Sequence, residues 1–388
     1  PKYSRFWAPL LHLLSDTLSL RRRHRVVQVN VTSGKDALPE RHRAGDSLLI
    51  AANHSAHCDP HVLMHLSARM KIPLHFMGAR EIFEKALGLR GMLLQRAGVF
   101  SIDREGTDLR AIKEALRIVA EGRFPLVIFP EGEIYHLHET LTPLNDGAAT
   151  IALRSAKKVA KESEERRVLI VPTAIQYTYV DDVSASLPAA MDRLKAHILW
   201  APQSDLDLVE RIYKFGEALL SLKEKEHLGH TLKGELPERL PAFRELLLGK
   251  AEDIYGRDKK AETHPERIRR LRGRIREIIL AADKPSAEVL KECFKQLDRI
   301  YLAVQLYSYP GQYLRGHPSV DRVAETILKL EEDVFGCAAL RGRRRADVTL
   351  CTPIDVTDFL AAYRKDAKGT CHHVTEQIAT AIQGALED

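Results

Sequence analysis

Short, wholly apolar runs separated by helical stretches set the strongest limit on what this chain of 388 residues folds into. Residues 48–52, 126–129 and 168–171 carry no polar side chain, so neither face of such a strand is matched to water, as in a sheet covered by helices on both sides. Val27, Val29 and Val31 alternate with polar residues and read as a further strand ending near Gly34. Residues 74–77 and 98–104 read as two more. Helical spacing links Leu109, Ile112, Leu116 and Val119, with Thr107 or Asp108 as cap and Gly122 as stop. From residue 205 the pattern changes to five amphipathic helices without an intervening strand, and strand character returns only at residues 346–354. The expected fold class is therefore α/β, a mixed sheet flanked by helices, built from residues 26–204 plus 341–388 and interrupted by an all-helical insertion at 205–340.

Residues 1–25 stand apart. Phe6, Trp7, Leu10, Leu11, Leu13 and Leu14 precede the cluster Arg21-Arg22-Arg23-His24-Arg25, and an apolar face beside a basic cluster suits a membrane-interfacial segment. A helix capping the core is the other reading. No run reaches the roughly 18 apolar residues of a membrane span. The formal net charge of +6 favours anionic partners, yet sparse aromatics and the lack of zinc-finger spacing argue against nucleic acid. The five scattered cysteines suit reduced thiols in a cytosolic setting. The arginine-rich stretch from Arg267 to Arg276 is either a lipid-facing helix or a solvated one balanced by acidic neighbours such as Glu325, Glu331 and Glu332.

Phosphate-loop, dinucleotide and G-x-S-x-G patterns are absent. The chemistry-bearing stretch is Asn53-His54-Ser55-Ala56-His57-Cys58-Asp59-Pro60, between the apolar run at 48–52 and a helix favoured by Pro60 in its first turn. His54 and Asp59 suit an acid/base pair. A polar turn with incidental histidines, and a metal site of His54, His57, Asp59 and His61, are the competing readings.

Three further stretches follow in order: Gly98-x-Phe100-x-Ile102-Asp103-Arg104, Phe129-Pro130-Glu131-Gly132, and Val171-Pro172. Together with His54-x-x-x-x-Asp59 they resemble the four sequence blocks of the glycerol-phosphate and lysophospholipid acyltransferase family, over roughly residues 45–180. Residues 352–356 resemble the strand and turn that close that domain. The resemblance implies an O-acyltransferase of phospholipid synthesis, with acyl-CoA or acyl carrier protein as donor substrate, a lysolipid-like acceptor, and neither a cofactor nor a metal. It implies His54 as general base with Asp59, Arg104 on an acceptor phosphate, and Glu131, Gly132 and Glu133 at the acceptor pocket. A cytoplasmic enzyme held peripherally on the inner face of a membrane is the expected setting.

One departure bears on the acceptor. The family's third block usually continues Thr-Arg-Ser, whereas this chain has Glu133-Ile134-Tyr135. A cation is missing and a carboxylate added, so a dianionic acceptor nearby meets repulsion on the order of 1 to 4 kcal/mol. Either Arg104, His136 or His138 compensates, or the acceptor is not a phosphomonoester.

Overall fold

The computed structural model describes all residues except 1, 35–36, 85–88, 104–107, 199–205, 258–262, 282–284 and 388. It divides into two compact units. One holds Pro1–Ile134, His138–Val180 and Arg343–Asp388; the other holds Tyr135–Leu137 and Asp181–Gly342. The main stretch of the second unit thus begins at Asp181, well before the composition change at 205.

The first unit is built on an eight-stranded mixed sheet: β1 (Val26–Ser33), β2 (Ser47–Ala52), β3 (His75–Ala79), β4 (Val99–Ile102), β5 (Leu126–Ile128), β6 (Val168–Tyr179), β7 (Arg344–Leu350) and β8 (Ile354–Asp355). Strand order is β1-β7-β6-β2-β5-β3-β4, with β8 also on β6. Pairing is parallel except where β6 meets β7 and β8. The chain that follows the helical unit therefore fills an interior position, between β1 and β6. Along β2 the side chains alternate between two cores. Leu49 and Ala51 join one, and Leu48, Ile50 and Ala52 the other, which is why the run is apolar throughout.

Nine α-helices among the described residues belong to this unit: α1 (Ala8–Leu14), α2 (Ala37–Arg43), α3 (Asp59–Met70), α4 (Glu81–Glu84), α5 (Leu89–Arg96), α6 (Leu109–Glu121), α7 (Gly147–Val159), then α15 (Leu360–Lys365) and α16 (Ala367–Glu387), which follow the helical unit. Asp108 caps α6 by accepting from Arg110 and Ala111 N–H, and Gly122 ends it at φ +67°. The short α2 lies in a stretch that carries no clear apolar period. A π-helix, Ser15–Arg23, continues α1.

β6 is more than twice the length of its apolar run. Past residue 171 it acquires polar residues because its outer edge changes partner, from β8 at Leu169–Ile170 to β7 at Thr173–Tyr179. Pro172 sits at that changeover. Its carbonyl accepts from Cys351 N–H at 2.9 Å, and its missing N–H falls where no ladder partner stands.

The second unit contains α8 (Leu187–His197), α9 (Leu208–Leu228), α10 (Leu236–Tyr255), α11 (His264–Ile279), α12 (Ala287–Gln305), α13 (Tyr313–Gly316) and α14 (Val320–Phe335). Its core gathers Phe243, Leu247, Leu248, Ala251, Leu271, Ile275 and Ile300. On the basic helix α11, Arg267 pairs with Glu252 at 2.7 Å and Glu245 at 2.8 Å, both from α10. The acidic residues of α14 serve elsewhere: Glu331 takes Arg193 and Arg341.

Candidate active site

β2 and its neighbour β5 run parallel, so their carboxyl ends deliver two loops to the same edge of the sheet. One begins Asn53-His54 and the other Phe129-Pro130-Glu131. Asn53 is buried and extends the β2–β6 pairing with its side chain: Nδ2 donates to Ile175 O at 3.0 Å, and Oδ1 accepts from Ile175 N–H at 2.7 Å. That fixes the backbone on which His54 stands.

The His54 side chain is held on two sides. Its Nδ1 lies 2.8 Å from Asp59 Oδ2, and its ring stacks on Phe129 at 4.2 Å between centroids. Asp59 opens α3, where a carboxylate suits the helix dipole, and it is wholly buried. Oδ2 also accepts from Ala56 N–H at 2.9 Å, closing the loop upon itself. Oδ1 accepts from Tyr177 O–H at 2.5 Å. With Nδ1 committed to Asp59, the other ring nitrogen of the partly exposed His54 is taken by no described residue.

Glu131 is buried and its carboxylate is spent inside the protein. Oε1 accepts from His54 N–H at 2.6 Å, while Oε2 accepts from Thr142 N–H at 3.1 Å and from the Thr142 hydroxyl. Burial pushes its pKa up against the pull of these donors. Asn145 secures the same turn, Nδ2 donating to Pro130 O at 3.0 Å. Gly132 has φ +81°, and a Cβ there would stand 3.2 Å from Asn145 Nδ2. A larger residue would meet both backbone strain and a close neighbour.

The remaining residues singled out in the sequence separate. Arg104 lies outside the described residues, next to Asp103, whose carboxylate is 3.8 Å from Arg80. Glu133 is partly exposed. His138 Nε2 is 3.5 Å from Glu139. Within the second unit, His136 Nε2 is 2.9 Å from Glu332, and Tyr135 and Leu137 are buried in the helical core. The segment after Glu131-Gly132 thus carries Tyr135 and Leu137 because those positions fill a core. Three of the four residues of the alternative metal reading have other partners: His54 Nδ1 faces Asp59, both Asp59 oxygens are occupied, and His61 Nδ1 is 2.7 Å from Ser15 Oγ. Burial, with Arg90 and Arg23 adding, lowers the His61 pKa to about 4.

Residues 29–176 match the family model described as Acyltransferase, a span that takes in His54, Asp59 and Glu131. Over this stretch the chain is similar to that family. No curated protein matches the chain. The unit that contains this stretch has the expected α/β architecture, a mixed sheet flanked by helices, and the match supports an enzyme of acyl transfer in general.

Sequence patterns did not disclose Tyr177, Thr142, Asn145 or Arg344, each of which holds a part of this candidate site. Tyr177 and Asp59 are 118 positions apart, and only the β6–β2 register brings them together. Arg344 enters from β7, on the far side of the helical unit in sequence. Its Nη2 donates to His24 O at 2.9 Å and lies 3.7 Å from Cys58 Sγ. Burial opposes its charge, but the surrounding Cys58, Tyr179, Tyr177 and Asp59 outweigh that and raise its pKa.

Proposed function

We propose that the protein is an O-acyltransferase that moves a fatty acyl group from an acyl-CoA or acyl carrier protein thioester to the hydroxyl of a lysophospholipid or glycerol-phosphate-like acceptor. The observation that carries this reading is the His54 Nδ1 to Asp59 Oδ2 contact of 2.8 Å, with Asp59 fully buried and the opposite ring edge open. His54 Nε2 takes the acceptor hydroxyl proton while the oxygen attacks the thioester carbonyl. Asp59 holds the Nδ1–H tautomer and stabilises the imidazolium, as the carboxylate of a hydrolase triad does. When the tetrahedral intermediate collapses, the C–S bond breaks, a C–O bond remains, and the imidazolium returns its proton to the leaving thiolate. The attacking oxygen belongs to the acceptor, so no serine is required.

Arg104 is the proposed phosphate contact, from the resemblance of its block and the fork-like match of guanidinium to phosphate. Glu131 and Gly132 shape the pocket wall, the carboxylate acting through the backbone of His54. Glu133 favours an acceptor whose charge near that position is neutral, zwitterionic or cationic. The membrane face is proposed from the first unit. Phe6 and Leu13 are 82% and 58% exposed, and exposed Leu89, Met92 and Leu93 lie on α5, whose Gln95 and Arg96 O accept from Lys2 and Ser4 N–H at 3.0 Å. No helix among the described residues is long and apolar enough to cross a membrane. Peripheral attachment at the cytoplasmic side of a bilayer fits such a surface.

The test is thioester release from acyl-CoA and from acyl carrier protein against lysolipids with and without a phosphomonoester. The expected result is acyl transfer to a lysolipid hydroxyl that falls by several orders of magnitude in folded His54→Ala. Near-normal turnover in that variant overturns the assignment of the base.

A further inference from the structure

We infer that Tyr177 is a positioning residue for acyl transfer, its hydroxyl setting the basicity of His54 through Asp59. The inference rests on the reading of His54 as general base, and it extends that site by a residue outside the four sequence blocks. Tyr177 O–H donates to Asp59 Oδ1 at 2.5 Å, on the carboxylate oxygen that His54 does not use. The tyrosine is buried on β6, and burial together with the Asp59 charge holds its hydroxyl protonated well above the ordinary range. It is therefore a permanent donor. The Arg344 guanidinium lies 5.1 Å from the centre of its ring, which fixes the ring by cation–π attraction.

A carboxylate that accepts more hydrogen bonds is a weaker base. Asp59 accepts three: from His54, Ala56 N–H and Tyr177 O–H. The charged and titratable groups around the relay are Tyr177 of β6, Arg344 of β7, Cys58 before α3, and Glu131 after β5 on the His54 backbone. Of these only Tyr177 donates a side-chain proton to Asp59. Removing that donor concentrates negative charge on the carboxylate, raises the pKa of the His54 imidazolium, and moves the acid limb of the activity profile to higher pH. A more acidic phenol at the same place moves it to lower pH.

The experiment compares kcat/KM against pH for the full chain, Tyr177→Phe, and the chain carrying 3-fluorotyrosine at position 177, with His54→Gln as reference. The expected result for Tyr177→Phe is a kcat reduced about tenfold, KM nearly unchanged, and an acid limb raised by roughly half to one pH unit, the size of effect a lost charge-assisted donor transmits. The fluorinated chain keeps the ring and donor, so it reports even where the phenylalanine variant folds poorly, and its acid limb moves down. Acid limbs that coincide with the wild type in both overturn the inference while an inactive His54→Gln leaves the base in place. An active His54→Gln instead overturns the reading on which the inference rests.

Discussion

Glu131 Oε1 accepts a 2.6 Å hydrogen bond from the backbone N–H of His54. The carboxylate of the third sequence block thus holds the main chain of the first, and through Oε2 it also holds Thr142. This acid is placed to fix the position of the histidine rather than to meet an anionic substrate, which it would repel.

Replacing Glu131 by Ala leaves the His54 and Thr142 donors buried without an acceptor, at roughly 1–3 kcal/mol for each one unpaired. Glu131→Gln keeps the size, but its NH2 must face one of the donors, so it does not restore the pair. The expected outcome is a lower urea midpoint in both variants and a kcat that falls more than KM rises. A glutamine variant with wild-type kcat would show that His54 is fixed by other means.

Leu137 is buried in the core of the second unit with Phe243, Leu247 and Ile300. Leu137→Ala is expected to destabilise that unit by about 2–5 kcal/mol, from lost burial and the cavity left behind. Hydrogen exchange read along α10 and α12 measures it. Unchanged protection there would mean that residues 135–137 are not part of that core.

His61 and His75 both have pKa values lowered from 6.5 to about 4, chiefly by burial. The unfolded chain therefore binds protons that the folded one refuses between those values. Stability from these groups is fully present above pH 6.5 and is lost as pH falls toward 4, by at most about 1.4 kcal/mol per pH unit for each group. Urea melts at pH 7.5 and pH 5.5 should show the first unit weakening on acidification. His75 packs 4.8 Å from the Phe124 ring, so His75→Phe keeps an aromatic there and should flatten the slope. An unchanged slope removes His75 as a contributor.

The apolar surface of the first unit gives a binding prediction. Phe6→Glu with Leu10→Glu should reduce flotation with anionic liposomes by an order of magnitude or more, while leaving thioester release with a water-soluble acceptor nearly intact. Equal flotation of variant and parent would place the membrane contact elsewhere.

The order of strands and helices, the cap at Asp108 and the His54–Asp59 pairing are all decided by short-range chemistry: apolar runs, helical spacing, a carboxylate five positions from an imidazole at a helix start. Such signals lie within a few residues of one another, and the sequence by itself determined them. The same local view left β6 too short, because its polar half is stabilised by β7, more than 160 positions away. It also named Glu131 without its partner, since register across the sheet turns that carboxylate toward His54 N–H. Tyr177 and Arg344 belong to the site for the same reason. Neither lies near Asp59 in the chain, and only the parallel and antiparallel pairing of β2, β6 and β7 brings a phenol and a guanidinium behind one buried carboxylate. The sequence determined which groups stand together at the candidate site; the tertiary structure decided what holds them in place.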